Sequence, residues 1–74
     1  MNSKKINIGV IGSGHLGQYH VKHYKSMNNI NFLGLHDSNP KRGNEIAKKY
    51  ETKYFENVFN LMEACDGVSI VTPT

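Results

Sequence analysis

Apolar residues along the chain follow two different spacings. Four short runs are rich in β-branched or aromatic residues and are bounded by turn-forming residues, which is typical of strands. Between these runs, apolar residues recur every three or four positions, which is typical of helices. The pattern predicts strands at 6–11, 30–36, 53–55 and 67–71, helices at 15–26 and 40–50, and a short helix that Asn57 caps and that ends at residue 64.

The helical spacing also predicts which side chains face the sheet. The inward positions are predicted to be Leu16, His20, Tyr24 and Met27 in the first helix, Ile46, Ala47 and Tyr50 in the second, and Val58, Leu61 and Met62 in the third. Asn39 is predicted to cap the second helix with its side-chain oxygen. Pro40 suits the first helical position because its missing N–H would have no partner there.

Strands and helices therefore alternate in the order β-α-β-α-β-α-β. Short apolar strands separated by helices favour an α/β fold, in which helices cover both faces of a parallel sheet. Right-handed crossovers then predict the strand order 3-2-1-4 of a doubly wound sheet. Because the fourth strand would lie at an open edge, we expect residues 1–74 to be the N-terminal part of a larger domain.

Three glycines between the first strand and the first helix form the pattern G-x-G-x-x-G. In this position the pattern is typical of a loop that binds the pyrophosphate of a dinucleotide. Gly12 permits a tight turn, Gly14 lets the backbone approach a phosphate, and Gly17 lets the helix pack closely on the sheet. The N–H groups around His15 and Leu16 would face the phosphates, helped by the helix dipole.

Asp37 lies at the end of the second predicted strand, 20 residues beyond Gly17. A carboxylate at this position accepts hydrogen bonds from the hydroxyls of the adenine ribose, so Asp37 and the adjacent Ser38 join the predicted cofactor site. The charge of Asp37 would repel the 2′-phosphate of NADP, which favours NAD. Lys41 and Arg42 are nevertheless near enough in the sequence to contact such a phosphate.

Other ligands of glycine loops fit these residues less well. A Walker phosphate loop needs Gly-Lys-Ser or Gly-Lys-Thr after its glycines, and the chain has neither. Methyltransferases that bind S-adenosylmethionine usually have glycine where Leu16 stands, and flavoproteins commonly have Glu at the end of the second strand. An unrelated ligand on a structural glycine turn remains the alternative to NAD.

Three segments together resemble the glucose–fructose oxidoreductase/inositol dehydrogenase (Gfo/Idh/MocA) family. They read GVIGSGHLGQYH (9–20), LHDSNP (35–40) and VSIVTPT (68–74). The resemblance implies a Rossmann-type domain that binds NAD or NADP, followed by a C-terminal α/β domain that holds the substrate and often mediates homo-oligomerisation. It also adds Thr72 and Pro73 to the predicted cofactor site, because they match the family's Thr-Pro beside the nicotinamide, whereas Thr74 stands where many members have Asn.

The same resemblance implies an oxidoreductase that transfers hydride between nicotinamide and a hydroxyl-bearing carbon of a sugar, cyclitol or sugar nucleotide. The form Gly-His-Leu-Gly-x-x-His is similar to members that oxidise the 3-hydroxyl of UDP-N-acetylglucosamine. The family's Glu-Lys-Pro motif and its catalytic Lys and His have no counterpart in these residues, so no catalytic residue is predicted and the chain alone is not expected to be active. The alternative is a non-catalytic NAD(H)-binding or redox-sensing module, since it would need the same loop.

Composition and charge argue against several other classes of protein. Hydrophobic residues make up 38% and charged residues 20% of the chain, as in ordinary globular proteins. The net charge of +3 is scattered and forms no basic patch of the kind that nucleic-acid binding needs. The single cysteine, Cys65, excludes an internal disulfide and is expected to be structural. No stretch predicts a membrane span or a signal peptide, so a cytoplasmic protein is expected.

The histidines are not expected to bind a metal ion. Only His20 and His23 share helical spacing, and no carboxylate stands near them in the sequence. His20 matches the family's motif histidine, but it lies on the predicted apolar stripe and is therefore expected to be partly buried and structural. His36 either lines the adenine side of the site or packs as an ordinary residue.

Overall fold

The computed structural model describes residues 5–12 and 14–71 of the chain. Within these ranges four strands alternate with three helices, in the predicted order. The elements are β1 (Ile6–Ile11), α1 (Gly14–Ser26), β2 (Ile30–His36), α2 (Pro40–Lys49), β3 (Lys53–Tyr54), α3 (Val58–Ala64) and β4 (Gly67–Ile70). The predicted ends agree with these bounds to within one residue.

The four strands form one parallel sheet in the order β3-β2-β1-β4, which confirms the predicted topology. Neighbouring residues of a strand point to opposite faces of a sheet. On β1, Val10 lies in the core cluster that includes Val21 of α1 and Ile46 of α2. The adjacent Gly9 lies against Leu61 of α3. Helices α1 and α2 therefore cover one face and α3 the other, as a doubly wound fold requires.

The two predicted asparagine caps are confirmed. The side-chain oxygen of Asn39 accepts a hydrogen bond from the backbone N–H of Arg42 at 3.2 Å, and Pro40 is the first residue of α2. The side-chain oxygen of Asn57 accepts from the N–H of Phe59 at 2.8 Å. Each cap satisfies a donor that the first turn of its helix leaves without a partner.

The inward face of α1 differs from the prediction at His20, which is exposed. Val21 is fully buried in its place, between the buried Gly17 and the half-buried Tyr24. These three residues follow the spacing i, i+4 and i+7 of one helical stripe. Successive residues of a helix are about 100° apart, so a stripe centred on Val21 turns the imidazole of His20 towards solvent. The predicted partial burial of His20 was therefore wrong. The predicted inward position of Tyr24 was correct, and Met27 is half-buried.

The inward face of α3 was also predicted only in part. Val58 and Leu61 face the sheet, but Met62 is 48% exposed and its predicted burial was wrong. A Cβ atom added at Gly9 would lie 2.7 Å from Cδ1 of Leu61 and 2.9 Å from Sγ of Cys65. The bare backbone at Gly9 lets the helix settle with Leu61 against the sheet, which turns Met62 outwards.

An irregularity in β2 brings Phe32 and Leu35, which are three positions apart, to the same face of the sheet. Ile8 of β1 pairs with Phe32, but the next residue, Gly9, pairs with Gly34, so Leu33 is an extra residue in β2. Such a bulge reverses the alternation of side chains beyond it. Phe32 packs against the core on the side of α1, where its ring stacks on Tyr24 with centroids 6.2 Å apart.

Candidate functional site

The ends of β1, β2 and β4 meet at one edge of the sheet. Gly12, directly after β1, donates its backbone N–H to the carbonyl oxygen of His36, the last residue of β2, at 2.7 Å. The N–H of Val71, directly after β4, donates to the carbonyl of Ile11 at 2.9 Å. Open parallel sheets bind their ligands at this carboxyl edge. The glycine turn and the acidic residue that follows His36 therefore lie side by side where a ligand would be expected.

Gly12 makes the turn that the sequence predicted. Its φ of +87° lies in the left-handed region that favours glycine. A Cβ atom at this position would also lie 2.2 Å from the carbonyl oxygen of Val71, a backbone atom that no side-chain movement can displace. The turn thus depends on glycine for both its conformation and its contact with the end of β4.

Helix α1 begins at Gly14, immediately beyond this turn. The first N–H groups of a helix have no intrahelical partner and carry a partial positive charge. The first turn of α1 contains no acidic residue that would oppose an anion. Gly17 is buried, in keeping with close packing of the helix on the sheet. The side chains of His15 and Leu16 are not among those that the structure describes, so their part in binding stays a prediction.

Asp37 is the one polar or charged residue among the described residues that is buried, with 2% of its surface exposed. Its Oδ2 accepts a hydrogen bond from Nε of Arg42 at 2.7 Å, and its Oδ1 accepts from Nη2 of the same guanidinium at 3.1 Å. Oδ1 also accepts from the backbone N–H of Asn39 at 3.0 Å. The hydrogen bond and the charge of Asp37 raise the pKa of Arg42, so the guanidinium remains positive. Arg42 was predicted either to contact a 2′-phosphate or to lie near the start of a solvent-facing helix, and its ion pair with Asp37 was not predicted.

Tyr54 of β3 holds the main chain of the same residue. Its hydroxyl donates to the carbonyl oxygen of Asp37 at 2.7 Å. Its ring stacks on His36, with centroids 5.9 Å apart, and lies directly over Gly43 of α2. Tyr54 lies in the predicted strand 53–55 and was not among the predicted site residues. No local pattern reveals the contact, because it joins positions 17 residues apart.

The structure does not test the remaining predicted residues of the cofactor site. Ser38 and Lys41 are exposed beside Asp37, and nothing in the structure tests whether they contact a cofactor. Thr72 and Pro73 fall outside residues 5–12 and 14–71, as does Thr74, so their position beside a nicotinamide stays a prediction.

The three histidines whose side chains the structure describes lie in two different environments. His20 and His23 are exposed on α1. Nδ1 of His36 lies 2.8 Å from the carbonyl oxygen of Phe55, which supports the packing interpretation of this residue. Among the residues that the structure describes, no three His, Cys, Asp or Glu side chains are grouped in a way that could hold a metal ion.

Cys65 is half-buried at the end of α3 against Gly9. Burial and the neighbouring charge of Asp66 raise the pKa of its thiol, so it favours the neutral form. This environment suits a structural thiol rather than a nucleophile, which needs a lowered pKa. Of the helices in the described ranges, none has the length and apolarity needed to cross a membrane.

The residues at this edge fit a dinucleotide. The turn at Gly12 leads into a helix N-terminus, which suits a pyrophosphate. A carboxylate stands at the end of the neighbouring strand, where an adenine ribose is bound in doubly wound folds. The two features are joined by the hydrogen bond between Gly12 and the carbonyl of His36.

Two curated proteins are similar to this chain over 66 residues. UDP-N-acetylglucosamine 3-dehydrogenase of Acidithiobacillus ferrooxidans is 41% identical, and the match covers 89% of this chain and 20% of that protein. Glucose-6-phosphate 3-dehydrogenase of Bacillus subtilis is 30% identical, with 89% and 19% covered. The chain thus spans about a fifth of the length of the curated relatives that it matches.

Solved structures agree with this similarity. A crystal structure of the Acidithiobacillus ferrooxidans enzyme superimposes with a TM-score of 0.85 at 38% identity, over 96% of this chain and 23% of that one. GenD2 from gentamicin A biosynthesis, solved in complex with NAD, gives a TM-score of 0.83 at 15% identity, a likeness of fold alone, over 96% of this chain and 21% of that one. Residues 6–74 match the family described as an oxidoreductase family with an NAD-binding Rossmann fold. The resemblance drawn from the sequence is therefore confirmed, and the chain belongs to the Gfo/Idh/MocA oxidoreductase family.

Proposed function

We propose that this chain is the NAD-binding portion of a dehydrogenase that transfers hydride between nicotinamide and a hydroxyl-bearing carbon of a sugar-like substrate. The observation that carries the proposal is the meeting of the Gly12 turn, the start of α1 and Asp37 at one edge of the sheet. The similarity to two sugar 3-dehydrogenases supports the hydride-transfer step. NAD supplies the hydride acceptor when it is bound.

The proposed roles of the residues follow from their positions. The backbone N–H groups from Gly14 to Gly17 hold the pyrophosphate, and Gly12 keeps the turn tight enough for its approach. Asp37, with Ser38 beside it, binds the adenine ribose. Thr72 and Pro73 stand beside the nicotinamide, as the family resemblance implies.

The ion pair of Asp37 and Arg42 supports NAD over NADP. A 2′-phosphate carries about two negative charges and would have to approach a buried carboxylate. Of the two nearby cations, Lys41 and Arg42, the guanidinium of Arg42 is already held by both oxygens of Asp37. The 2′-hydroxyl of NAD is neutral and meets no such penalty.

The family's catalytic Lys and His have no counterpart in the sequence of residues 1–74, so we propose that substrate binding and proton transfer belong to further parts of the protein. We propose that residues 1–74 are the N-terminal part of the Rossmann domain and that a C-terminal domain holds the substrate and forms a homo-oligomer. The proposed setting is the cytoplasm. By analogy with the relative that is 41% identical, the proposed substrate class is a UDP-linked amino sugar oxidised at its 3-hydroxyl.

The test is to incubate the complete gene product with NAD and UDP-N-acetylglucosamine and to follow absorbance at the wavelength of NADH. Formation of NADH that depends on both compounds is the expected result. Binding of NAD without turnover on any of a panel of sugar nucleotides, sugar phosphates and cyclitols would instead indicate a non-catalytic module. A variant with Asp37→Ala tests the proposed site and is expected to lower turnover at subsaturating NAD.

A further inference from the structure

Tyr54 occupies the position where β2 and β3 stop pairing. The backbone ladder between the two strands ends with the hydrogen bond from the N–H of Phe55 to the carbonyl of Leu35, at 2.7 Å. Asp37 lies two residues further along, where a side chain continues the connection. The hydroxyl of Tyr54 donates to its carbonyl oxygen and so ties the backbone of Asp37 to β3.

Gly43 provides the space that this arrangement requires. A Cβ atom at Gly43 would lie 2.3 Å from Cε1 and 2.8 Å from Cδ1 of the Tyr54 ring, and 3.2 Å from Cβ of Asp37. The ring also stacks on His36, whose Nδ1 lies 2.8 Å from the carbonyl of Phe55. The tyrosine is thus held at its ring by two elements and at its hydroxyl by Asp37.

Asp37 and its partner Arg42 favour different cofactors. Its carboxylate suits the ribose hydroxyls of NAD, whereas the guanidinium of Arg42 suits the phosphate of NADP. The bidentate pair keeps the two groups together, and its geometry depends on the backbone orientation of Asp37. A contact that fixes the backbone of Asp37 therefore favours presentation of its carboxylate, rather than the guanidinium of Arg42, to a cofactor.

We infer that Tyr54 is a positioning residue that sets the preference for NAD over NADP through the backbone of Asp37. Removing its hydroxyl removes the hydrogen bond that ties the carbonyl of Asp37 to β3, which loosens the pair with Arg42 and makes the guanidinium more available to a phosphate. The inference rests on the proposed function, because it requires that Asp37 face the cofactor. Tyr54 itself is not assigned any contact with the cofactor.

The test compares dissociation constants for NAD and NADP in the complete gene product and in Tyr54→Phe, measured by calorimetry. The expected result is about fivefold weaker binding of NAD, the size expected for one lost hydrogen bond, with NADP unchanged or bound more tightly. Tyr50→Phe is the control, because Tyr50 is a half-buried tyrosine of the same core beyond the other end of α2. It should leave both constants unchanged.

Two further variants separate positioning from simple loss of stability. Gly43→Ala keeps the hydroxyl but displaces the ring, so it should lower the preference for NAD in the same direction. In an Asp37→Asn background, Tyr54→Phe should no longer change the ratio of the two constants, because the carboxylate through which it acts is gone. Equal weakening of NAD and NADP by Tyr54→Phe, or an unchanged ratio, would overturn the inference while leaving the proposed function intact. Failure of the unmodified protein to bind NAD would overturn both.

Discussion

The glycine turn and the acid corner meet at the same edge of the sheet but are built from different parts of the chain. In the glycine turn, at residues 12–17, Gly12 leaves no room for a side chain beside Val71, and α1 begins at Gly14. In the acid corner, which comprises Asp37, Arg42, Gly43 and Tyr54, side chains from α2 and β3 hold one carboxylate. The turn thus depends on the absence of a side chain at Gly12, whereas the corner depends on contacts between residues that are distant in the sequence. The two regions should therefore respond differently to substitution.

The largest effect is expected for Gly12→Ala. The new Cβ would strike the backbone oxygen of Val71, and φ is +87° there. Strain and overpacking together should lower the free energy of unfolding by about 3 kcal/mol and abolish measurable NAD binding. Chemical denaturation and calorimetry would measure the two effects. Gly67→Ala is the matched control, because its Cβ would meet only Cδ1 of Ile8, at 3.6 Å. Equal behaviour of the two variants would contradict the special role of the turn.

Asp37→Ala should weaken the binding of NAD without changing the conformation of the glycine turn. Losing charge-assisted hydrogen bonds to the ribose should weaken NAD binding by about 1–3 kcal/mol, or about 5- to 150-fold in the dissociation constant. NADP should be affected less, since Arg42 is released from its partner. Glu45→Ala is the control: it removes an exposed carboxylate from α2, the helix that follows Asp37, and should change neither constant. An unchanged dissociation constant for NAD in Asp37→Ala would count against the ribose role.

Gly9→Ala should separate stability from cofactor binding. A methyl group there would press on Leu61 and Cys65 on the α3 face, away from the acid corner. Overpacking of this kind costs about 1–3 kcal/mol, which thermal unfolding would detect. The affinity of the folded protein for NAD should stay the same. A large loss of affinity at a temperature where the variant is folded would show that the two faces are coupled.

The smallest effects are expected from the two helix caps. Asn39→Ala and Asn57→Ala each remove one capping oxygen and should each lower stability by about 1 kcal/mol. Asn39 caps the helix that carries Arg42, so only its replacement should also weaken NAD binding. Comparable losses of affinity in both variants would argue that the caps act through general stability alone.

Much of the fold could be predicted because its signals are local. Strand ends, both caps and the strand order follow from short patterns of apolar residues and turn residues. The turn at Gly12 is equally local, since a missing side chain is visible in the sequence itself. The strand ends, the caps and the turn do not depend on how distant parts of the chain meet, and the strand order follows from the general right-handedness of crossovers.

The incorrect or missing predictions share a tertiary origin. His20 and Val21 are neighbours, and only the packing of α1 on the sheet decides which one is buried. The exposure of Met62 depends on the space at Gly9, which lies on another element. The contacts of Asp37 with Arg42 and Tyr54 require β2, α2 and β3 to be assembled first.

Binding of NAD at this sheet edge, through main-chain groups and a buried acid, can be measured by titrating NAD and NADP into the complete gene product. Calorimetry would give both dissociation constants under identical conditions. The predicted result is saturable binding of one NAD per chain, tighter than the binding of NADP. Absence of NAD binding, or tighter binding of NADP, would contradict it.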